Sequence, residues 1–124
     1  MTGDPSMIYS GKFFKTITNT ILTAHQDLAI RKFGVTFESA DEQGCFVAHY
    51  GYVRHVEIAN NDAFYISTCQ DGTLRLWNTA DNTPLHLYAG HEQIVSDVAI
   101  TQDNRIAISA SYDSRLNIYE THAA

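Results

Sequence analysis

His49, Ser67 and Asp71 are the residue types from which a nucleophilic acyl-transfer site is built: a hydroxyl that attacks, an imidazole that takes its proton, and a carboxylate that orients the ring. The same three types return as His91, Ser109 and Asp113. That return argues against catalysis. An enzyme needs one assembled site, whereas a residue set copied along a chain belongs to whatever the copies share, so no catalytic residue is assigned. A polar site made of residues that differ between copies has only Arg54, His55 and Glu57 as candidates. His25, His49, His55, His86, His91 and His122 include no close pair and no Cys–His grouping at zinc-ligand spacing, so no metal is expected. No glycine-rich phosphate loop is present, and no cofactor is expected.

The elements that must position these residues are short. Apolar residues alternate at period two in runs such as Val95, Val98 and Ile100, or Leu116, Ile118 and Tyr119. No stretch of eleven or more carries a helical stripe, which makes the chain all-β. The punctuation is polar: Asn-Asn-Asp at 60–62, Gln-Asp-Gly at 70–72 and Gln-Asp-Asn at 102–104. Such spacing suits antiparallel meanders joined by tight hairpins.

The copies can be aligned without a gap. Residues 49–78 lie over 91–120 at an offset of 42, with eight of thirty positions identical, apolar and polar alike: His49/His91, Val53/Val95, Val56/Val98, Ile58/Ile100, Ile66/Ile108, Ser67/Ser109, Asp71/Asp113 and Leu74/Leu116. A weaker copy at an offset of 44 sets residues 23–33 over 67–77. It keeps Thr23 and Asp27 but offers no histidine matching His49. Upstream of it, residues 12–18 are read as an innermost strand turning at Asn19-Thr20 into 21–25.

These residues resemble the WD-repeat family, whose β-propeller blades are four-stranded antiparallel meanders recurring every 40–45 residues. The resemblance rests on Gly90-His91, on the string from Ser67 to Asn78 with its Asp71-Gly72 turn and Trp77, and on the degenerate copy ending in Tyr119-Glu120. Departures are Ala48 for glycine, Asn78 and Glu120 for aspartate, and Tyr119 for tryptophan. It implies a tail over 1–11 and an incomplete propeller over 12–124, with repeats near 12–37, 44–78 and 84–120. Outer strands are expected near 44–47 and 84–88. Inner strands are expected at 52–59, 63–69 and 73–77, then at 94–101, 105–111 and 115–119.

The resemblance also gives the recurrent trio a role. His49, Ser67, Asp71 and Trp77, and then His91, Ser109 and Asp113, are expected to be structural hydrogen-bonding networks, the second lacking the indole donor. Partner-binding positions carried over from the family are Tyr52, Arg54 and Gln70, then Ile94, Ser96 and Tyr112, with Gln26 in the first copy. Tyr52, Arg54 and Tyr112 stand out, because Tyr and Arg are enriched at energetic hot spots. The implied function is a non-catalytic scaffold for peptide segments or subunits of a multiprotein complex. An architectural piece that completes a propeller with another chain is the alternative, and an enzyme on a propeller frame comes after both.

Composition agrees with an ordinary globular chain: 124 residues, 44% hydrophobic and 18% charged. A net charge of −6 with only eight Lys and Arg offers no basic face for nucleic acid, and no apolar run is long enough to span a bilayer. Cys45 and Cys69 do not make a disulfide framework. Both are read as buried or half-buried thiols of a reducing compartment, hence an intracellular, cytoplasmic or nuclear location. Three repeats fall short of the four to eight blades of a propeller, and open sheet edges recruit other strands. A fragment of a six- to eight-bladed protein is the first expectation. A homo-oligomer whose two chains give six blades is the second, and a segment pairing with another subunit the third.

Overall fold

The computed structural model describes residues 8–17, 19–26, 29–36, 38–47 and 51–121. These form β1 Ile8–Phe13, β2 Thr20–His25, β3 Ala29–Val35, β4 Ala40–Val47, β5 Val53–Ile58, β6 Phe64–Cys69, β7 Thr73–Asn78, β8 Pro84–Ala89, β9 Val95–Ile100, β10 Ile106–Ser111 and β11 Leu116–Glu120. The strands pair into three antiparallel sheets, β1-β2-β3-β4, β5-β6-β7-β8 and β9-β10-β11, which do not close a ring among the described residues. The chain is therefore all-β and built of propeller-type blades. The outer strands β4 and β8 pair backwards onto β3 and β7, so each sequence repeat starts on the rim of one blade and continues as the inner strands of the next. Pro84 opens β8 on a sheet edge, where a missing N–H breaks no ladder bond.

Two strands depart from the sequence expectation. The innermost strand β1 lies at Ile8–Phe13, upstream of 12–18 and partly inside the segment read as a tail. Residues 14–17 follow it outside any strand, and Asn19, at φ 56°, leads into β2. The outer strand β4 begins at Ala40, four residues before 44, and a register shift beside Phe33 absorbs the added length. Cys45, on this edge strand, is exposed, against the burial expected of it, while Cys69 is buried.

Register assigns every strand residue to one of two faces, and the core lies between sheets. On the second blade, Val53, Val56, Ile58, Tyr65 and Trp77 pack toward the first blade against Phe14, Leu22, Ala24 and Ile30. Its other face carries Phe64, Ile66, Leu74 and Leu76, which meet Val95, Val98 and Ala107 of the third, with Tyr88, Ile100 and Tyr119 at the margin. Each of these fully covered aliphatic side chains contributes roughly 2 kcal/mol. A blade alone would leave both faces wet, so each blade's stability comes from its neighbours.

Polar staples lock the stacking. Asp62 sits at φ 61° in the β5–β6 turn, and its carboxylate accepts from the backbone N–H groups of Lys15, Thr16 and Ile17 in the first blade, and from the Thr16 hydroxyl at 2.7 Å. Burial pushes this carboxyl up, but these donors outweigh it and hold the group below its ordinary range. Its counterpart 42 residues on, Asn104 at φ 64°, accepts from the Asn60 N–H at 2.9 Å. The Asn60 amide in turn donates to the carbonyls of Thr101 and Gln102. The same turn position thus clamps each blade to the one before it. Asp62→Ala is expected to destabilise the chain by about 2 kcal/mol, since it leaves a cluster of N–H donors without their charged acceptor. The urea midpoint measures this, and an unchanged midpoint would show the staple to be idle.

Candidate functional site

In the third blade, His91, Ser109 and Asp113 come together. His91 Nδ1 lies 2.9 Å from Asp113 Oδ2, and Nε2 lies 2.6 Å from Ser109 Oγ. A carboxylate only accepts, which assigns the proton to Nδ1; Nε2 of the neutral ring then accepts the serine hydroxyl. Asp113 also takes the N–H groups of Glu92 at 3.1 Å and Arg115 at 3.0 Å. Burial raises this carboxyl, but the His91 hydrogen bond and the two backbone donors outweigh it and bring its pKa to about 2.

These distances match those of a nucleophilic triad, but the surroundings do not. The Ser109 side chain has 0% exposure and faces the second blade, so no carbonyl carbon can reach its oxygen. The two hydrogen bonds tie the loop before β9 to β10 and to the β10–β11 turn. Gly90 lies close beside it: a Cβ there would come within 2.7 Å of Asn117 Nδ2 and 2.8 Å of the Tyr119 hydroxyl, so these two side-chain ends would have to shift. Tyr119 cannot donate as an indole does. It packs instead on Tyr88 at a ring separation of 4.7 Å, and the Tyr88 hydroxyl donates to the Glu120 carbonyl, joining the second blade's outer strand to the third blade.

In the second blade, Trp77 Nε1 donates to Ser67 Oγ at 2.8 Å, and both groups are buried. Asp71 caps its own turn, accepting from Thr73 N–H at 3.0 Å and Thr73 Oγ1 at 2.6 Å. His49 lies outside the described residues. Gly72 adopts φ 89°, and a Cβ there would collide with the His91 carbonyl of the third blade. The repeat counterpart Ser114, at φ 69°, carries a side chain where no following blade packs among the described residues. The first blade has an imidazole after all. Buried His25 sets Nε2 2.6 Å from Thr23 Oγ1, so a histidine two residues along the same strand stands where the alignment offered none. Asp27 lies outside the described residues.

The partner-binding candidates divide by blade. The Tyr52 carbonyl accepts the Gln70 N–H, and the Ile94 carbonyl accepts the Tyr112 N–H, each at 2.9 Å, so the two pairs occupy the same rim position of successive blades. Tyr52, Arg54 and a residue the sequence reading missed, Tyr9 of β1, form one cluster. The Tyr9 and Tyr52 rings stack at 6.3 Å, and the Arg54 guanidinium sits 4.5 Å over the Tyr9 ring. Ser96 and Tyr112 keep to their own blade: Ser96 donates to the Ala110 carbonyl, and the Tyr112 side chain is exposed. Gln26 is half-buried.

Arg54, His55 and Glu57, the only candidates for a polar catalytic site, are engaged between blades. His55 Nε2 lies 3.1 Å from Asp97 Oδ1 on β9, and Nδ1 lies 3.3 Å from Ser10 Oγ on β1. Glu57 sits 3.7 Å from Lys12 Nζ and 3.8 Å from His55 Nε2. Burial raises the Glu57 carboxyl, but its bond to His55, the Lys12 charge and the Ile58 N–H together draw it below its ordinary range. A polar row thus crosses the three innermost strands. Carrying the repeat back into β1, with Ile8, Ser10 and Lys12 over Val53, His55 and Glu57, is the sequence signal that would have found it. Among the described residues no group of three or more His, Cys, Asp or Glu is placed to hold a metal. No helix there is long and apolar enough to cross a membrane.

The family model described as WD domain, G-beta repeat matches residues 41–78 and 82–120. Among curated proteins, the chain is 36% identical over 84 residues to MST50-interacting protein 11 of Pyricularia oryzae, covering 63% of this chain and 27% of that protein. It is 36% identical over 90 residues to the ribosome biogenesis protein WDR12 homolog of Trichoplax adhaerens, covering 67% and 21%. It is 34% identical over 84 residues to the small ribosomal subunit protein RACK1 of Neurospora crassa, covering 63% and 27%. The chain thus spans about a quarter of the length of these relatives.

The His91–Ser109–Asp113 geometry generates a pH prediction. An aspartate lowered from about 3.9 when unfolded to about 2 when folded contributes stability that is fully present above about pH 5. That contribution is lost as pH falls through the folded value. Asp113→Asn is therefore expected to be less stable than the parent above pH 5, with the gap narrowing between pH 4 and pH 2 in urea titrations; a gap constant over that window would contradict the assignment. The family match over two successive copies, more than half of the chain, agrees with the blade architecture: this chain belongs to the WD40 repeat family.

Proposed function

We propose that the chain is a non-catalytic protein–protein interaction scaffold that holds peptide segments or subunits of a multiprotein complex through its rim. The observation that carries this reading is the Tyr9–Tyr52–Arg54 cluster. Two stacked rings and a guanidinium stand at the start of the innermost strands of adjacent blades, outside both apolar clusters, with Tyr52 exposed. They meet across the two blades at the rim, apart from the apolar packing between the sheets. Rigid aromatic faces beside an arginine supply contact area and charge at small ordering cost, the composition of interface hot spots. Gln70 and, one blade on, Ile94, Ser96 and Tyr112 extend the surface.

Related proteins support a protein-binding role. One relative is called an interacting protein, and two carry ribosomal or ribosome-biogenesis names. WD40 repeat proteins are generally non-catalytic scaffolds. The net charge of −6 favours protein partners over nucleic acid, and the free thiols Cys45 and Cys69 suit an intracellular, cytoplasmic or nuclear setting. The architectural reading also has an observation in its favour, the bare apolar face of the third blade.

Quantitative affinity capture with mass-spectrometric readout separates the two. Tyr52→Ala and Arg54→Ala are each expected to reduce recovery of rim-bound partners by about tenfold while leaving the chain folded by its β-sheet circular dichroism. Undiminished recovery with both, and with Tyr112→Ala, would favour the architectural role.

A further inference from the structure

Arg54 stands at the rim with a charge that the described residues leave unanswered. The chain carries 14 Asp and Glu against eight Lys and Arg, so carboxylates are plentiful. Lys12 lies 3.7 Å from Glu57, and Arg31 lies 3.3 Å from Glu42. Arg54 has no such partner among the described residues, and its guanidinium meets the face of the Tyr9 ring instead, 4.5 Å from the centroid. Half-burying a cation without an anion costs free energy, and an aromatic face offsets only part of that cost.

The ring contact uses the charge of the guanidinium and none of its N–H donors on an acceptor. An arginine seated on an aromatic face keeps its planar fork for a bidentate carboxylate, and the ring holds it in place beforehand. The Tyr9 and Tyr52 rings stack at 6.3 Å beside it, and neither phenol hydroxyl has a hydrogen-bonding partner among the described residues. The carboxylates next along the innermost strands are already engaged, Glu57 with Lys12 and His55, and Asp97 with His55. Cation, phenol donors and ring faces thus gather on the seam between the first and second blades, both of which this chain supplies.

We propose that this corner of the rim receives an acidic side chain, Asp or Glu, of an extended peptide segment. Its carboxylate takes the Arg54 fork while an adjoining apolar residue lies against the Tyr52 ring. The proposal rests on the rim reading above and names what that surface selects. The two oxygens of a carboxylate match the spacing of guanidinium N–H groups, and a phenol hydroxyl adds a further donor. Recognition is local, because a chain of net charge −6 repels an acidic partner at long range. The segment is therefore sparsely acidic: a single carboxylate at the contact is favoured, and a polyacidic run is rejected.

A displayed library of random peptides, selected on the full chain, tests this. Bound peptides should share one Asp or Glu beside an apolar or aromatic residue. Changing that acid to its amide should weaken binding about tenfold. Arg54→Glu should release these peptides and bind them again once their acid is replaced by Lys, a rescue that only a folded chain gives. Failure of that rescue would count against the proposal. Peptides that lose binding with Tyr52→Ala yet tolerate the amide would overturn the acidic partner and leave the rim reading standing. No bound peptide, or peptides indifferent to both Tyr52→Ala and Arg54→Glu, would overturn the two together.

Discussion

Everything in this chain depends on the packing of one blade face against the next. A four-stranded meander has two apolar faces and cannot cover either by itself, so what is stable is the pair and not the blade. Among the described residues the second blade is the only one with both faces sealed, and many of the largest enclosed side chains lie on it: Tyr65, Ile58, Ile66, Leu74 and Leu76. The aromatic column on one side, Trp77 on Tyr65 at 6.4 Å and Tyr65 edge-on to Phe14 at 6.5 Å, is of a piece with this. Burial drives the Tyr65 phenol well above its ordinary range, with the Asp81 charge adding to it, so the hydroxyl stays protonated and donates to Asn82 at 2.7 Å.

Polar groups set which faces meet and how they are turned. Asp62 and Asn104 hook each blade to its predecessor at one end, the His55 row crosses the innermost strands, and Gly72 admits the His91 carbonyl where no side chain fits. Within a blade, the His91–Ser109–Asp113 set and the Trp77–Ser67 bond hold the loop and turn against the second strand. Groups of the kind that elsewhere make acyl-transfer catalysts here join loop, strand and turn, with the serine enclosed by a neighbouring blade.

The strand pattern and the family were legible in the sequence because both follow from local periodicity and from a gapless copy. Gly90-His91 and the run from Ser67 to Asn78 carry enough fixed positions to place every strand of the last two blades to within a residue or two. What escaped notice depends on contacts between copies. Tyr9 and Ser10 lay in a stretch read as a tail because the leading copy is too diverged to extend by identity. His25 was overlooked because it replaces a loop histidine from within a strand. Asp62 looked like ordinary turn punctuation, since its acceptor role exists only when residues 15–17 of another blade come near. Gly72 and Ser114, equivalent in the repeat, differ in whether a described blade packs on them.

Residue-resolved hydrogen exchange at several protein concentrations tests most directly the claim that face coverage sets local stability. Amides of β6 and β7 should exchange slowest at every concentration. Those of β10 and β11, whose outer face is exposed, should exchange faster. If β10 and β11 were as protected as β6 and β7 in dilute solution, a bare face would carry no penalty, and the dependence of each blade on its neighbour would be contradicted.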